Sequence, residues 1–187
     1  MTSLAVPSDL STFLQETFDA EDTLTATLLL DIASGMVRDH LKIGDLNAVA
    51  ADVVELDPIN GVVFLPSLPV TAVSLVETFD GTAWSTAAAS TYRVSKRLGI
   101  IFGLPGLGVR WPAGPETWRV TYDHGFTVIP STIKGVVLGV AARERSTPTG
   151  LAAETFGPHS VRYQMQADGF TDIERKALAN YVNPNIA

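Results

Sequence analysis

The hydrophobic period of this chain changes twice, and those changes constrain its fold more than any single residue does. Over residues 20–42, Leu24, Leu28, Leu29, Ile32, Ala33, Met36, Val37 and Leu41 recur at helical spacing. Asp19 is a suitable N-cap, Glu21 and Asp22 fall in the first turn where the helix dipole favours carboxylates, and Gly44 follows the end. These signals predict one long helix. Over residues 53–126 the repeat gives way to short β-branched runs cut by Pro58, Asn60-Gly61, Pro66, Pro69 and Asp80-Gly81. Helical spacing returns after Pro130-Ser131, in Ile133, Val136, Val137, Val140 and Ala141. Helices on both sides of a long β-rich run predict a helical unit carrying an inserted β-module.

Two shorter helices complete the pattern. Ser8 and Asp9 precede Leu10, Phe13 and Leu14, an i, i+3, i+4 set. Near the end, Thr171 and Glu174 fit a capping box ahead of an apolar stripe of Ile173, Ala177, Leu178, Tyr181 and Val182. Residues 146–169 show no sustained period and read as an extended arm. The predicted fold class is α+β: a small core of about four helices, an inserted antiparallel β-module, and a C-terminal arm ending in a helix. Residues 1–52 supply the N-terminal helices, 53–128 the module, 129–146 a core helix, and 147–187 the arm with its helix. Asp80-Gly81 predicts a type I′ hairpin, whose two central residues need positive φ. Gly135 and Gly139 each cost a helix about 1 kcal/mol against alanine, which predicts close backbone packing there. A tethered helix with its own apolar stripe suits docking on another chain.

Composition removes several chemistries. The 187 residues include no cysteine, which excludes disulfides, thiol catalysis, iron–sulfur clusters and cysteine-bound zinc. The three histidines, His40, His124 and His159, share no His-Glu-x-x-His or His-x-His spacing, so no metal site is expected. In "GLPGLG" (103–108) the Gly-Lys-Ser/Thr of a phosphate loop is missing, and the breaker-rich "RWPAGPETW" follows where a dinucleotide fingerprint needs a helix. A loop tip is the better reading. No Gly-x-Ser-x-Gly elbow is present. Asp123-His124-Gly125 stands where enzymes often keep chemistry, yet adjacent strand residues point to opposite faces. The reading preferred is a corner: Gly125 supplies a special backbone conformation and His124 is a polar residue at a turn. Trp84, Trp111, Trp118, Tyr92 and Tyr122 are read as core of a small sheet. A single-stranded nucleic-acid surface, with Arg93, Lys96, Arg97, Arg110 and Arg119, is the alternative.

Neither the start "MTSLAVPSDLSTFLQETF" nor the broken run "LLLDIASGMV" has the character of a signal peptide or a membrane span, so a soluble protein without a cleaved signal is expected. Charge is unevenly spread. Residues 1–60 carry eleven acidic and two basic residues, whereas 61–187 carry nine and eleven, within a net charge of −7. Such polarity allows the acidic part of one copy to meet the basic part of another, or simply gives a solvated acidic helix face. The acidic balance argues against sequence-specific nucleic-acid binding, which needs phosphate-neutralising cations.

"LPSLPVTAVSLVE", then "YRV", "GII", "WP" and "WRVTYDHGFTVIPSTIKGVVLGVAARE", and finally "ETFGPHSVRYQ" with "FTDIERKALANYV", stand in a telling order. In that order and spacing the chain resembles the head–tail connector (adaptor, or head-completion) proteins of long-tailed bacteriophages over roughly residues 10–183. The Gly/Pro-rich "GLPGLGVRWPAGPE" departs from the family pattern, where a shorter strand-to-strand passage is expected. The resemblance implies a virion neck protein with no catalysis, cofactor or membrane association, assembled in the bacterial host cytoplasm. It implies a ring of about twelve copies beneath the portal, around the DNA channel, with heterologous contacts that close by rotation. The portal would be gripped by the C-terminal segment, with Phe170, Ile173, Leu178, Tyr181 and Val182 as docking candidates. A downstream stopper or terminator protein would bind the opposite side. Asp31, Asp39, Arg93, Arg97 and Arg119 are the subunit-interface candidates. DNA would lie close without specific binding, and an acidic lumen would keep it from sticking. The alternatives are another ring-forming neck or tail component, such as a tail terminator or stopper, and a small enzyme using Asp123 and His124.

Overall fold

A computed structural model describes residues 2–104, 111–146, 153–156, 159–162 and 169–184. The chain is an α+β protein whose described residues form four α-helices and three antiparallel sheets. They fall into two compact units, one of Met1–Leu41 with Ile129–Val182, the other of Lys42–Val128 with the last residues from Asn183.

The first unit holds α1 (Pro7–Leu14), α2 (Ala20–Leu41), α3 (Ser131–Ser146) and α4 (Asp172–Leu178). Helix α2 begins where Asp19 accepts from the Asp22 amide at 2.8 Å. It ends at Lys42, which turns left-handed at φ +55 and does the work expected of Gly44. Its buried residues are Ala26, Leu30, Ala33, Ser34, Val37, Arg38 and Leu41, one continuous face at i, i+4, i+7 and i+11 spacing. Leu10 of α1, Ile133, Val137 and Ala141 of α3, and Leu178 of α4 are likewise fully buried. Each such leucine or isoleucine contributes about 2 kcal/mol by leaving water, which is what holds so short a helix as α1 in place. Ion pairs join the same elements: Lys134 to Asp9 at 2.7 Å, Arg143 to Glu174 at 2.7 Å, and Arg145 to both Glu16 (3.2 Å) and Asp22 (2.9 Å).

Three details go beyond the sequence pattern. Leu24, Leu28 and Ile32 do not join the buried face of α2; they are 74%, 61% and 47% exposed. The helix is apolar on two sides, and sequence spacing merged them. Close packing holds at Gly139, where an added Cβ would stand 3.1 Å from a Glu174 carboxylate oxygen, but Gly135 faces open space. Within the extended arm, β8 (Ala153–Phe156) and β9 (His159–Arg162) pair as an antiparallel ladder. The remainder of the arm lies outside the described residues.

The second unit holds two sheets. In the larger, β1 (Val49–Leu56), β7 (Trp118–His124), β3 (Val70–Phe79) and β4 (Trp84–Thr86) lie in the order β1-β7-β3-β4. Central β7 alternates strictly, with Trp118, Val120, Tyr122 and His124 on the buried side. In the smaller, β2 (Val62–Phe64), β6 (Ile100–Gly103) and β5 (Tyr92–Ser95) lie in the order β2-β6-β5. The β3–β4 hairpin departs from the type I′ expectation. Its central pair is Gly81-Thr82, for the Asp80 amide donates to the Ala83 carbonyl at 3.1 Å, and only Gly81 has positive φ, +104. Asp80 instead caps the loop: its carboxylate accepts from the amides of Thr82 (2.8 Å) and Ala83 (2.9 Å) and from the Thr82 hydroxyl (2.7 Å). The module's aromatics are tied into the fold. Trp118 is fully buried and stacks on Trp111 at 4.4 Å, and its indole N–H donates to the Pro112 carbonyl.

Candidate interaction surfaces

Asp123 and His124 diverge, as strand alternation requires. Asp123 accepts a hydrogen bond from the Ala51 amide at 2.8 Å, at the bulge where Ala51 takes φ +52. His124 points to the other side and is 3% exposed, so it is a core residue and not the polar turn residue expected. Its Nε2 lies 3.2 Å from an Asp52 carboxylate oxygen, and its ring lies 4.9 Å from that of Tyr122. Burial pushes the Tyr122 hydroxyl above the usual tyrosine range. The two side chains thus lie on opposite faces of β7 with separate partners, Ala51 for Asp123 and Asp52 for His124, and do not form a dyad.

Gly125 carries the corner. With φ +84 its added Cβ would stand 2.0 Å from the Asn47 carbonyl oxygen. On either side, the Phe126 amide donates to Leu46 O at 2.8 Å and the Ala48 amide to Phe126 O at 3.1 Å. The strand that enters the module and the one that leaves it meet at this point.

Among the described residues no group of three His, Asp or Glu side chains could hold a metal ion. No helix among them is long and apolar enough to cross a membrane. An open cleft of about 350 Å³ lies beside the β3–β4 hairpin, lined by Thr78, Phe79, Asp80, Pro112, Ala113 and Thr117. Its one carboxylate, Asp80, is engaged by its own loop, whose Ala83 and Thr82 hydrogen bonds hold it below the ordinary aspartate value. Nothing there resembles a nucleophile with a base. The "GLPGLG" tip lies beyond Leu104, outside the described residues.

The expected contact residues divide. Asp31 and Asp39 are exposed on α2, and Arg93 and Arg97 are exposed on β5 and the turn after it. Arg119 is engaged within its own sheet, bound to Glu55 at 2.7 Å and lying 4.0 Å over the Trp84 ring. Of the five C-terminal candidates, Phe170 (3% exposed) and Leu178 (0%) are buried, Tyr181 and Val182 are half-buried, and Ile173 stands 81% exposed.

Two apolar surfaces went unread in the sequence. On α2, Leu24, Leu28 and Ile32 form an outer stripe at i, i+4, i+8, opposite the buried face and flanked by Glu21, Asp31 and Asp39. On the smaller sheet, register places Val62, Phe102 and Arg93 side by side, and likewise Phe64, Ile100 and Ser95. Phe64 (37%) and Phe102 (40%) are exposed on this face, whereas Val63 and Ile101 on the reverse are fully buried. The helix signal was present all along: apolar residues at 24, 28 and 32 cannot share an arc with those at 26, 30, 33 and 37.

No protein-family profile matches the chain, and no curated protein does. Among solved structures it is similar to a chain in the neck of an empty GTA particle computed with C6 symmetry. The TM-score is 0.56 at 18% identity, covering 82% of this chain and 84% of that one. It is also similar to a chain in the virion of a native gene transfer agent (GTA) particle, with a TM-score of 0.49 at 20% identity, covering 81% and 86%. At these identities the likeness is one of fold.

Proposed function

We propose that this chain is a non-catalytic structural component of a phage-type virion neck. It forms a ring beneath the portal, joins the DNA-filled head to the tail, and extends the DNA channel. The observation that carries the reading is the fold shared over most of both chains with a protein of a GTA neck. The order of sequence segments that resembles head–tail connectors supports it independently. That neck was computed with C6 symmetry, with which a ring of about twelve copies is compatible.

In this reading the portal contact is carried by the C-terminal helix and the residues after it. Because Phe170 and Leu178 are spent in the fold, exposed Ile173 leads that contact, with Tyr181 and Val182 behind it. A downstream stopper or terminator protein meets the other side, and DNA passes through the ring without being bound. Cryo-electron microscopy of particles carrying a tagged chain tests the assignment. Label at the junction of head and tail is expected; label along the tail tube or over the head shell would sink it. Deletion of residues 169–187 is expected to abolish binding to purified portal.

A further inference from the structure

The outer stripe of α2 and the open face of the smaller sheet are complementary in both shape class and charge. Leu24, Leu28 and Ile32 are bordered by three exposed acids, Glu21, Asp31 and Asp39, and the one arginine of α2, Arg38, is buried. The sheet offers Phe64, Phe102, Ile100 and Val62. Its three strands contain no acid, while Arg93 and, in the β5–β6 turn, Lys96 and Arg97 are exposed. The apolar parts drive contact, and the charges decide which contact forms.

Pairing α2 with α2 of another copy would bury the leucines but set three acids against three. Pairing α2 with the sheet sets acids against cations instead. A further feature points outward. Gly35 continues the stripe at i+7 from Leu28, yet a Cβ there would meet nothing within 4 Å. A mid-helix glycine destabilises its helix, and here no neighbour among the described residues requires it. A glycine on this stripe leaves room for close approach of another chain's backbone or aromatic side chain.

We infer that the outer stripe of α2 docks on the open β2-β6-β5 face of a second copy, with Gly35 admitting that copy's Phe64 or Phe102. The contact joins two different patches, so it is heterologous and propagates from copy to copy, which a ring requires. It rests on the neck reading only for where the assembly sits; the pairing itself follows from the two faces.

The absence of cysteine makes the test clean. A tagged full-length chain carrying Leu28→Cys is mixed with an untagged one carrying Phe102→Cys, and the mixture is oxidised across a range of protein concentrations. Disulfide-linked tagged–untagged pairs are expected, with no dimers in either variant alone. Dimers of Leu28→Cys alone would mean that α2 pairs with itself, and no cross-link at any concentration would mean that neither face is an interface; either overturns the inference. Both positions are exposed, and circular dichroism checks that each variant folds. As a second measure, Asp31→Arg is expected to weaken cross-linking roughly threefold to tenfold, and Arg93→Asp in the partner chain to restore it. Gly35→Ala is expected to raise the unfolding temperature while lowering the cross-link yield; a rise in both would overturn the role given to Gly35. Cross-linking without neck label would leave this surface standing and remove the neck reading, and the converse result would do the reverse.

Discussion

Gly125→Ala is the substitution whose cost the geometry fixes best. Two effects add. An L-residue at φ +84 bears roughly 1–2 kcal/mol of backbone strain. Its Cβ, placed 2.0 Å from Asn47 O and 2.5 Å from the Asn47 carbonyl carbon, must also move away by about 1.5 Å to reach ordinary contact. Nothing but backbone stands there, so relief means parting the two segments. That breaks the Phe126–Leu46 and Ala48–Phe126 hydrogen bonds, at about 1 kcal/mol each. The sum is about 3–4 kcal/mol. Gly61→Ala is the matched control, since Gly61 has φ +76 and open space around it and so bears the strain alone. Trp84, Trp111 and Trp118 all lie in the Lys42–Val128 unit, so urea unfolding followed by tryptophan fluorescence reports on the module itself. Gly125→Ala is expected to lower the midpoint at unchanged slope, and by about twice as much as Gly61→Ala or more. Equal shifts for the two variants would refute the claim that the approach of Asn47 is what requires glycine.

Gly135→Ala, with open space at the Cβ, is expected to stabilise the helical unit by up to about 1 kcal/mol in thermal melts, whereas Gly139→Ala should gain nothing, because Glu174 lies 3.1 Å away. Thr171→Ala removes a capping-box acceptor and should cost about 1 kcal/mol, visible as earlier hydrogen exchange in α4. For Glu174, burial raises the carboxyl, but its bonds from Arg143 and Thr171 outweigh that and hold it below the ordinary glutamate value. A depressed acid stabilises the fold above its unfolded value, near 4.3, and loses that contribution as pH falls further through the folded value. Arg143→Met should therefore speed hydrogen exchange in α4 at neutral pH, and its difference from the parent chain should shrink as pH falls through the folded value.

Elements were legible wherever the signal was local. The long helix was readable from its own spacing and from Asp19, Glu21 and Asp22, and α4 from Thr171 and Glu174. Partners were not legible. That β7 lies between β1 and β3 depends on pairings such as Val54 with Val120 and Val76 with Val120, and β-branched runs do not carry the name of their neighbour. The charge split pointed to Asp31, Asp39, Arg93 and Arg97, which are exposed, but could not tell that Arg119 is held by Glu55. The apolar half of the surface was missed for a reason specific to α2. A stripe meant for another chain has the same period as a stripe meant for the core, and only burial separates Leu28 from Leu30.

The first and last strands of the module are direct neighbours, with Val49 opposite His124 and Asn47 bridged to Phe126. Topologically, the two ends of the module therefore stand together, as though a short link joined Asn47 to Phe126. Closing a loop of that many floppy residues would cost several kcal/mol of chain entropy, growing with the logarithm of its length. Once the sheet has zipped its own ends together, that length no longer counts. The Gly125 junction is the clasp that holds those ends together, whatever the length or sequence of the chain between them.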